Sequence, residues 1–413
     1  MKKYALLGST ALVVSGVLAA PAVAADPIKL ELRGYFQAFI TLGHIDRDVV
    51  GTTGTNYEPE TFRYEGEIWF TGTTKLDNGT NVGVRIELEA WSQNTGVSAS
   101  NATGTIDQLD EEYIFAFGDW GRIEFGATDG ASYKMVYGTP TALTGWGFQD
   151  PNHANRGSGF SAANQAGRSG VVPGMSASMG NNPGDATKFT YYTPRFAGLQ
   201  IGVSYTPQFS STASTAQCAF RQGGGPVANC PKNSNTWHSA IDVGANYLGK
   251  FGDVSVALYG GYFTAGFDRG VAGGNNNNNT NPSVNGRWKS WATGAQVGYG
   301  GFTLGGAIGQ DNNGLRGSNR TRWYSAGLMY ETGPWQMSVG WWGGRNNEKS
   351  VTSLTAENRA GRDKMDIFEI GANYALSQGI KLTGGLNYIM GSGQSKSEKA
   401  DAWAVIFGTI LTF

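Results

Sequence analysis

Arg33, Arg63, Arg85 and Arg122 recur through the first third of the chain, each in a segment whose residues alternate between apolar and polar. Alternation puts residues two apart on one face of a strand, so these guanidinium groups fall on the polar side of their segments. Cations fixed along one wetted face, with carboxylates across from them, would set up a transverse field that favours dipolar solutes over apolar ones. Asp129, Asp150 and Asp185, in or beside a long unpatterned stretch, are placed to supply that second charge. A simpler reading pairs each arginine with a neighbouring carboxylate such as Glu65, Glu67, Glu87, Glu89 or Glu124. Glu67 and Glu87 therefore join the four arginines and three aspartates as candidate site residues.

Other chemistry has little to work with. Hydrolysis by a nucleophile needs a Ser or Thr beside a base, usually His, and the chain has only His44, His153 and His238. It has no Gly-Xaa-Ser-Xaa-Gly turn and no phosphate-cradling Gly-rich loop with its Lys, so an enzyme is not expected. Asp110, Glu111 and Glu112, with carboxylates of the second and third alternating segments, offer hard oxygen ligands for Ca²⁺. As solvated charge they need no ion, and no cofactor is expected. Cys218 and Cys230 are the only cysteines. In an oxidising compartment they would close a disulfide over a Gly/Pro/Asn-rich surface loop, the other reading being two free thiols. With no His beside them a metal site lacks ligands.

These residues need elements to hold them, and the first segment is not one. Met1 to about Ala25 has a basic front (Lys2, Lys3), a short apolar run broken by Gly8, Ser9, Thr10, Ser15 and Gly16, and a small-residue exit at Ala22-Val23-Ala24-Ala25. That is the layout of a secretory signal peptide cleaved after residue 24 or 25. Removing Lys2 and Lys3 takes the formal net charge from −1 to −3, nearly neutral for this size, which excludes nucleic acid as the expected partner. No later stretch is long and apolar enough for a membrane helix, so any crossing falls to strands.

Period-two alternation runs to the last residue. Leu199, Ile201, Val203 and Tyr205 fall opposite Gln200, Gly202, Ser204 and Thr206; Val82, Val84, Ile86 and Leu88 fall opposite Asn81, Gly83, Arg85, Glu87 and Glu89. Sixteen such segments are predicted, at 28–44, 60–76, 80–91, 107–118, 121–127, 186–193, 198–206, 237–248, 252–264, 287–299, 302–310, 321–331, 335–343, 365–376, 379–390 and 401–413. Their connections alternate short and long, as in a barrel inserted from one side of a membrane. Tyr247, Tyr299, Phe302, Trp335 and Tyr374 sit on apolar faces beside short turns, where an interfacial girdle would lie. The predicted fold is all-β: a transmembrane, antiparallel, up-and-down barrel of sixteen strands in one domain, residues 26–413. A barrel of that width cannot be filled by its own side chains and keeps an aqueous lumen. The longest connection, 128–185, is the candidate constriction, since an idle loop of that length is uncommon.

Three stretches carry a resemblance. Thr74-Lys75-Leu76-Asp77-Asn78-Gly79 with Val82 to Glu89, Asp110 to Phe115 with Gly121 to Gly126, and Lys188 to Leu199 resemble hairpins of the general diffusion porins of Gram-negative bacteria. The last segment, with Trp403, Val405, Phe407, Leu411 and terminal Phe413 on one face, is similar as well. The resemblance implies a water-filled channel in the bacterial outer membrane for passive diffusion of small hydrophilic solutes and ions, with the long loop folded into the lumen. It implies a homotrimer joined through the first and last strands, outer-membrane lipid and lipopolysaccharide as surroundings, and Phe413 as the signal read by the barrel assembly machinery. The alternative is a substrate-selective channel for sugars or anions, to which inward Trp69, Trp91, Trp323 and Trp342 would contribute.

Overall fold

The computed structural model describes residues 27–47, 60–92, 109–143, 183–209, 237–267, 286–312, 314, 320–348, 361–392 and 400–413. The predicted leader, Asp150, His153, Cys218 and Cys230 lie outside these residues, as do the side chains of Arg63 and Trp91.

Sixteen strands follow one another: β1 (Lys29–Arg47), β2 (Glu60–Lys75), β3 (Asn81–Ser92), β4 (Leu109–Gly118), β5 (Gly121–Ala127), β6 (Thr187–Tyr192), β7 (Leu199–Phe209), β8 (Trp237–Phe251), β9 (Val254–Phe267), β10 (Trp288–Tyr299), β11 (Phe302–Asp311), β12 (Arg320–Thr332), β13 (Trp335–Glu348), β14 (Gly361–Ser377), β15 (Ile380–Ser392) and β16 (Ala400–Thr412). Each pairs antiparallel with its neighbours in sequence, and β1 pairs with β16 to close the barrel. Closure leaves the sheet without a free edge, which it must achieve to cross lipid. The alternation fixes which side is wet. Ile114, Phe125, Leu304 and Ile370 project outward and are more than half exposed, whereas Ser204, Asp242, Asn246 and Glu369 point inward and are buried. That inverts the distribution of a water-soluble protein, because here the apolar solvent is outside.

Short connections gather at one end of the barrel. Gly300 and Gly301, between β10 and β11, both have positive φ (57° and 84°), the conformation that lets a two-residue hairpin follow the strand twist. The predicted aromatic girdle stands at this end: Trp335 pairs with Tyr374, their rings 4.7 Å apart, and Phe302 stacks on Tyr330 at 4.3 Å. A second aromatic row, not anticipated from the sequence, crosses the outer face near the loop end. It runs Trp341, Phe368, Tyr388, Trp403 and on to His44, each opposite the next across the ladder.

Strand positions agree with the periodicity to within a few residues at most ends. At the loop end several strands run further, β13 to Glu348 and β14 from Gly361, because ladder pairing such as Arg345 with Lys364 continues above the apolar band that marked the strand in sequence.

Candidate pore constriction

The chain leaves β5 at Ala127 and turns into the lumen. Thr128 donates its hydroxyl to Glu111 Oε1 at 2.8 Å, and the Asp129 backbone N–H donates to the same oxygen at 2.9 Å. A single helical turn follows, α1 (Ala131–Lys134). The first N–H groups of a helix have no partner within it. Here the wall supplies them: Ala131 N–H donates to Ser204 Oγ at 2.8 Å and Ser132 N–H to the Asp242 carboxylate at 3.2 Å.

From α1 the segment runs along the inner wall and is held strand by strand. Asn246 of β8 donates to the Met135 carbonyl (3.0 Å), and Gln296 of β10 to that of Gly138 (2.8 Å). Thr139 bonds Ser325 of β12 (2.6 Å), Thr141 bonds Glu369 of β14, and Ala142 N–H donates to Ser338 of β13 (2.9 Å). Asn373 of β14 completes the series on the Ala142 carbonyl. Leu143, 1% exposed, ends the described stretch packed with Phe39 and Ile406.

Backbone can approach a wall this closely only where the wall has no side chain. Inward glycines mark the path. A Cβ on Gly202 would lie 2.7 Å from Met135 Sδ, on Gly244 2.8 Å from Ser132 Cα, on Gly305 2.6 Å from the Gly138 oxygen and on Gly371 2.5 Å from Leu143 Cγ. Gly261, Gly294, Gly327 and Gly385 face the same segment. Several are cross-strand partners: Gly202 with Gly244, Gly244 with Gly261, Gly305 with Gly327, and Gly371 with Gly385. This glycine track from β7 to β15 was legible as inward-phase glycines, but only register shows that they meet.

Lys188 ties the two ends of the loop together. It is 1% exposed on the inner face of β6, and its ammonium donates to the Gly184 carbonyl at 2.7 Å and to that of Thr128. Lys134 reaches from α1 to Glu124 (3.2 Å), Thr128 Oγ1 (2.5 Å) and the face of Tyr113 (4.7 Å to the ring centre). Burial works against its charge, yet Glu124 and Glu111 outweigh burial and hold its pKa above the usual lysine value. Neither lysine was singled out in the sequence.

Residues 128–143 thus cover the wall from β7 to β15, and among the described residues β1 to β5 keep their inner faces toward the lumen. On that open wall Arg33 bonds Glu31 at 2.8 Å, Arg85 bonds Glu87, and Arg122 Nε bonds Glu124 Oε1 at 2.6 Å. Arg85 also lies 4.7 Å from the centre of the Trp69 ring and Arg122 4.5 Å from that of Phe115, within cation–π range. The neighbouring-carboxylate reading therefore describes the arginines whose side chains are placed. Glu67 accepts from Tyr35 (2.9 Å) and Trp69 (2.8 Å), and Glu65 from Gln37 (2.6 Å).

Asp129 and Asp185 meet Glu111, their carboxylates within 4.8 Å of one another, so they gather on the β4–β6 side rather than across the lumen from the arginines. Burial, then Asp129, Asp110 and Glu111, push the Asp185 pKa up to about 8. Glu67, Glu87 and Asp110 form a second such group, also within 4.8 Å. Glu112 belongs to neither: it shares the outward phase of Ile114 and pairs with Ala127. Trp323 and Trp342 do point inward, but at 1% and 0% exposure they are packed into an apolar cluster with Phe209, Trp237 and Phe263.

A closed sixteen-stranded barrel with an apolar outer band, a polar inner wall and a loop laid inside it is an outer-membrane diffusion channel. The sequence pattern of the Gram-negative porin family matches residues 8–394, and the chain belongs to that family. Among solved structures it is similar to an anion-selective porin from Comamonas acidovorans, with 17% identity and a TM-score of 0.57 over 94% of this chain and 100% of that one. It is similar also to a loop-deletion form of OmpT, an outer membrane protein of Vibrio cholerae, with 11% identity and a TM-score of 0.54 over 94% and 100% of the two chains. At these identities the likeness is one of fold. None of the curated protein sequences matches the chain. The protein is a porin of the bacterial outer membrane, a water-filled channel for passive diffusion of small hydrophilic solutes.

Proposed function

We propose that the permeation path runs between the glycine-seated segment 128–143 and the β1–β5 wall, and that it passes small cations in preference to anions. One observation carries this reading. Arg33, Arg85 and Arg122 each hold a carboxylate two residues away, whereas Glu65 and Glu67 take their hydrogen bonds from the neutral groups of Gln37, Tyr35 and Trp69. Among the described side chains, the narrow region therefore carries negative charge that Arg33, Arg85 and Arg122 do not balance, and in a confined lumen such charge raises the local concentration of cations. The Ca²⁺ reading of the sequence has two candidate groups, Glu67 with Glu87 and Asp110, and Glu111 with Asp129 and Asp185, and each already has a cation beside it, Arg85 on Glu87 and Lys134 at 3.9 Å from Glu111.

Transport by this route needs no covalent step. His44 belongs to the outward aromatic row, and His238 lies 3.2 Å from its sequence neighbour Ser239. The working unit is a homotrimer joined through β1, β2 and β16, whose outer faces present Leu30, Leu32, Phe62 and Phe407. Phe413 serves as the assembly signal, and outer-leaflet lipopolysaccharide is the lipid partner.

Single-channel recording across a KCl gradient tests the selectivity. The reversal potential takes the sign of a cation-preferring pore and moves toward zero in E65Q/E67Q. An anion-preferring potential in the wild type overturns the proposal.

A further inference from the structure

Outside the barrel, at its loop end, three cations stand side by side across three strands. Arg322 of β12 is opposite Arg345 of β13, and Arg345 is opposite Lys364 of β14. Their sequence neighbours Trp323, Gly344 and Met365 are buried on the inner side, so alternation turns all three cations outward. Gln310 extends the row on β11 and Ser392 on β15, both uncharged.

The height of this row is set by the aromatic row below it. Trp341 lies four residues down β13 from Arg345 and opens the series Trp341, Phe368, Tyr388, Trp403. Four residues of strand span about 13 Å, or about 10 Å of height at the tilt of a membrane barrel. Aromatic belts mark the boundary between acyl chains and headgroups. The cations therefore sit in the headgroup layer of the outer leaflet.

Their surroundings leave them available to a ligand. Asp366 holds Arg345 through both oxygens, at 3.0 and 2.9 Å to Nη2, and the Tyr324 ring lies 5.6 Å from its guanidinium carbon. That fixes the guanidinium on the barrel surface and offsets one charge. Arg322 uses Nε on Gln310 at 3.0 Å and is exposed. Lys364 is exposed. Among the described side chains of these three strands at this level, Arg322, Arg345 and Lys364, with Arg320 two residues beyond Arg322 in the same phase, stand against the one carboxylate of Asp366, and the patch ends toward β16, where outward Asp401 replaces a cation near this level.

We infer that the Arg322–Arg345–Lys364 row binds the phosphate groups of an outer-leaflet glycolipid of the lipid A type. Its acyl chains would lie against the apolar wall below the aromatic row, and its phosphates would reach the cations above it. Arginine forks and a lysine ammonium match phosphate oxygens by charge-assisted hydrogen bonds. This deepens the lipopolysaccharide reading by naming the groups that would meet it, and it does not depend on the selectivity of the pore.

The test uses the full-length protein refolded in phosphatidylcholine vesicles with or without diphosphorylated lipid A, reading the temperature at which the heat-modifiable barrel unfolds. A ligand of the folded state alone raises that temperature. The expected result is a rise with lipid A that disappears with dephosphorylated lipid A and is at least halved in R322Q/R345Q/K364Q. The double variant R322Q/K364Q, which keeps the Arg345–Asp366 pair, should lose a large share of the same rise while unfolding at the wild-type temperature in phosphatidylcholine alone. An undiminished rise in both variants would leave lipopolysaccharide as a partner and sink this site. No rise in the wild type would remove the partner as well. Loss of trimers in R322Q/K364Q with the lipid effect intact would make the row a contact between copies of the chain and overturn the inference.

Discussion

Phe413 and Gly34 exchange two backbone hydrogen bonds, each of 3.0 Å, and a Cβ on Gly34 would lie 2.8 Å from Cζ of the Phe413 ring. The last residue of the chain is thus bonded at the seam where β1 meets β16, with its ring on the lipid side over a position that has no side chain.

Gly34→Ala should therefore damage the seam in particular. The added methyl must displace the Phe413 ring or the backbone of β2, where it also meets the Glu67 carbonyl. Overpacking of this kind costs roughly 1–3 kcal/mol. Urea titration of the barrel in vesicles should show a lower midpoint for Gly34→Ala, and a wild-type midpoint would mean that the ring moves aside freely.

A comparison of neighbouring strands checks the glycine track. Gly244 faces Ser132 and the Ala131 carbonyl, whereas a Cβ on Gly260, on the outer face of β9, meets nothing within 4 Å. Gly244→Ala should lift α1 from the wall and narrow the path, seen as lower and noisier single-channel conductance. Gly260→Ala should conduct as the wild type does. Equal conductance in the two variants would mean that α1 is not held by this contact.

Much of this was readable in advance, and the unread part has a common cause. Strands such as β5 and β11 follow from two-residue periodicity, because each needs only its own residues to display one lipid face. The arginine pairing was readable too: Arg85 with Glu87 and Arg122 with Glu124 are two residues apart, hence on one face of one strand. The glycine track and the row from Trp341 to His44 belong to no single strand. They come into line only through the register of many ladders, and period two does not encode register between strands whose loops differ in length. Asp129 and Asp185 illustrate a related limit of period two: both lie within a few residues of β5 and β6, so chain connectivity keeps them on that side, beside Glu111, whatever the rest of the loop does.

Lys188→Met is expected to loosen both ends of the constriction segment. The methionine fills similar space but donates nothing to the carbonyls of Thr128 and Gly184. A buried polar group left without its partner costs about 1–3 kcal/mol. The variant should unfold at lower urea and show frequent partial closures under voltage. Quiet, full-size conductance would show that the wall contacts of α1 hold the segment without Lys188.

The acidic group at the base of the loop predicts how the pore responds to pH. Burial and the nearby Asp129, Asp110 and Glu111 raise the Asp185 pKa from an ordinary 3.8 to about 8, so at neutral pH the carboxyl is largely protonated. A pKa raised in the folded state means stability that is full below pH 3.8 and declines as pH rises toward 8, where Asp185 ionises among like charges. Ionisation also adds a negative charge beside the path. Cation preference should therefore increase between about pH 7 and pH 9, measured as reversal potential in a fixed KCl gradient, while resistance to urea falls from about pH 4 to about pH 8 and is level above that. Asp185→Asn cannot ionise and should flatten both curves at their lower-pH values. If the variant kept the wild-type pH dependence, another group would be titrating, and Asp185 would have to be ionised in the folded pore throughout this range.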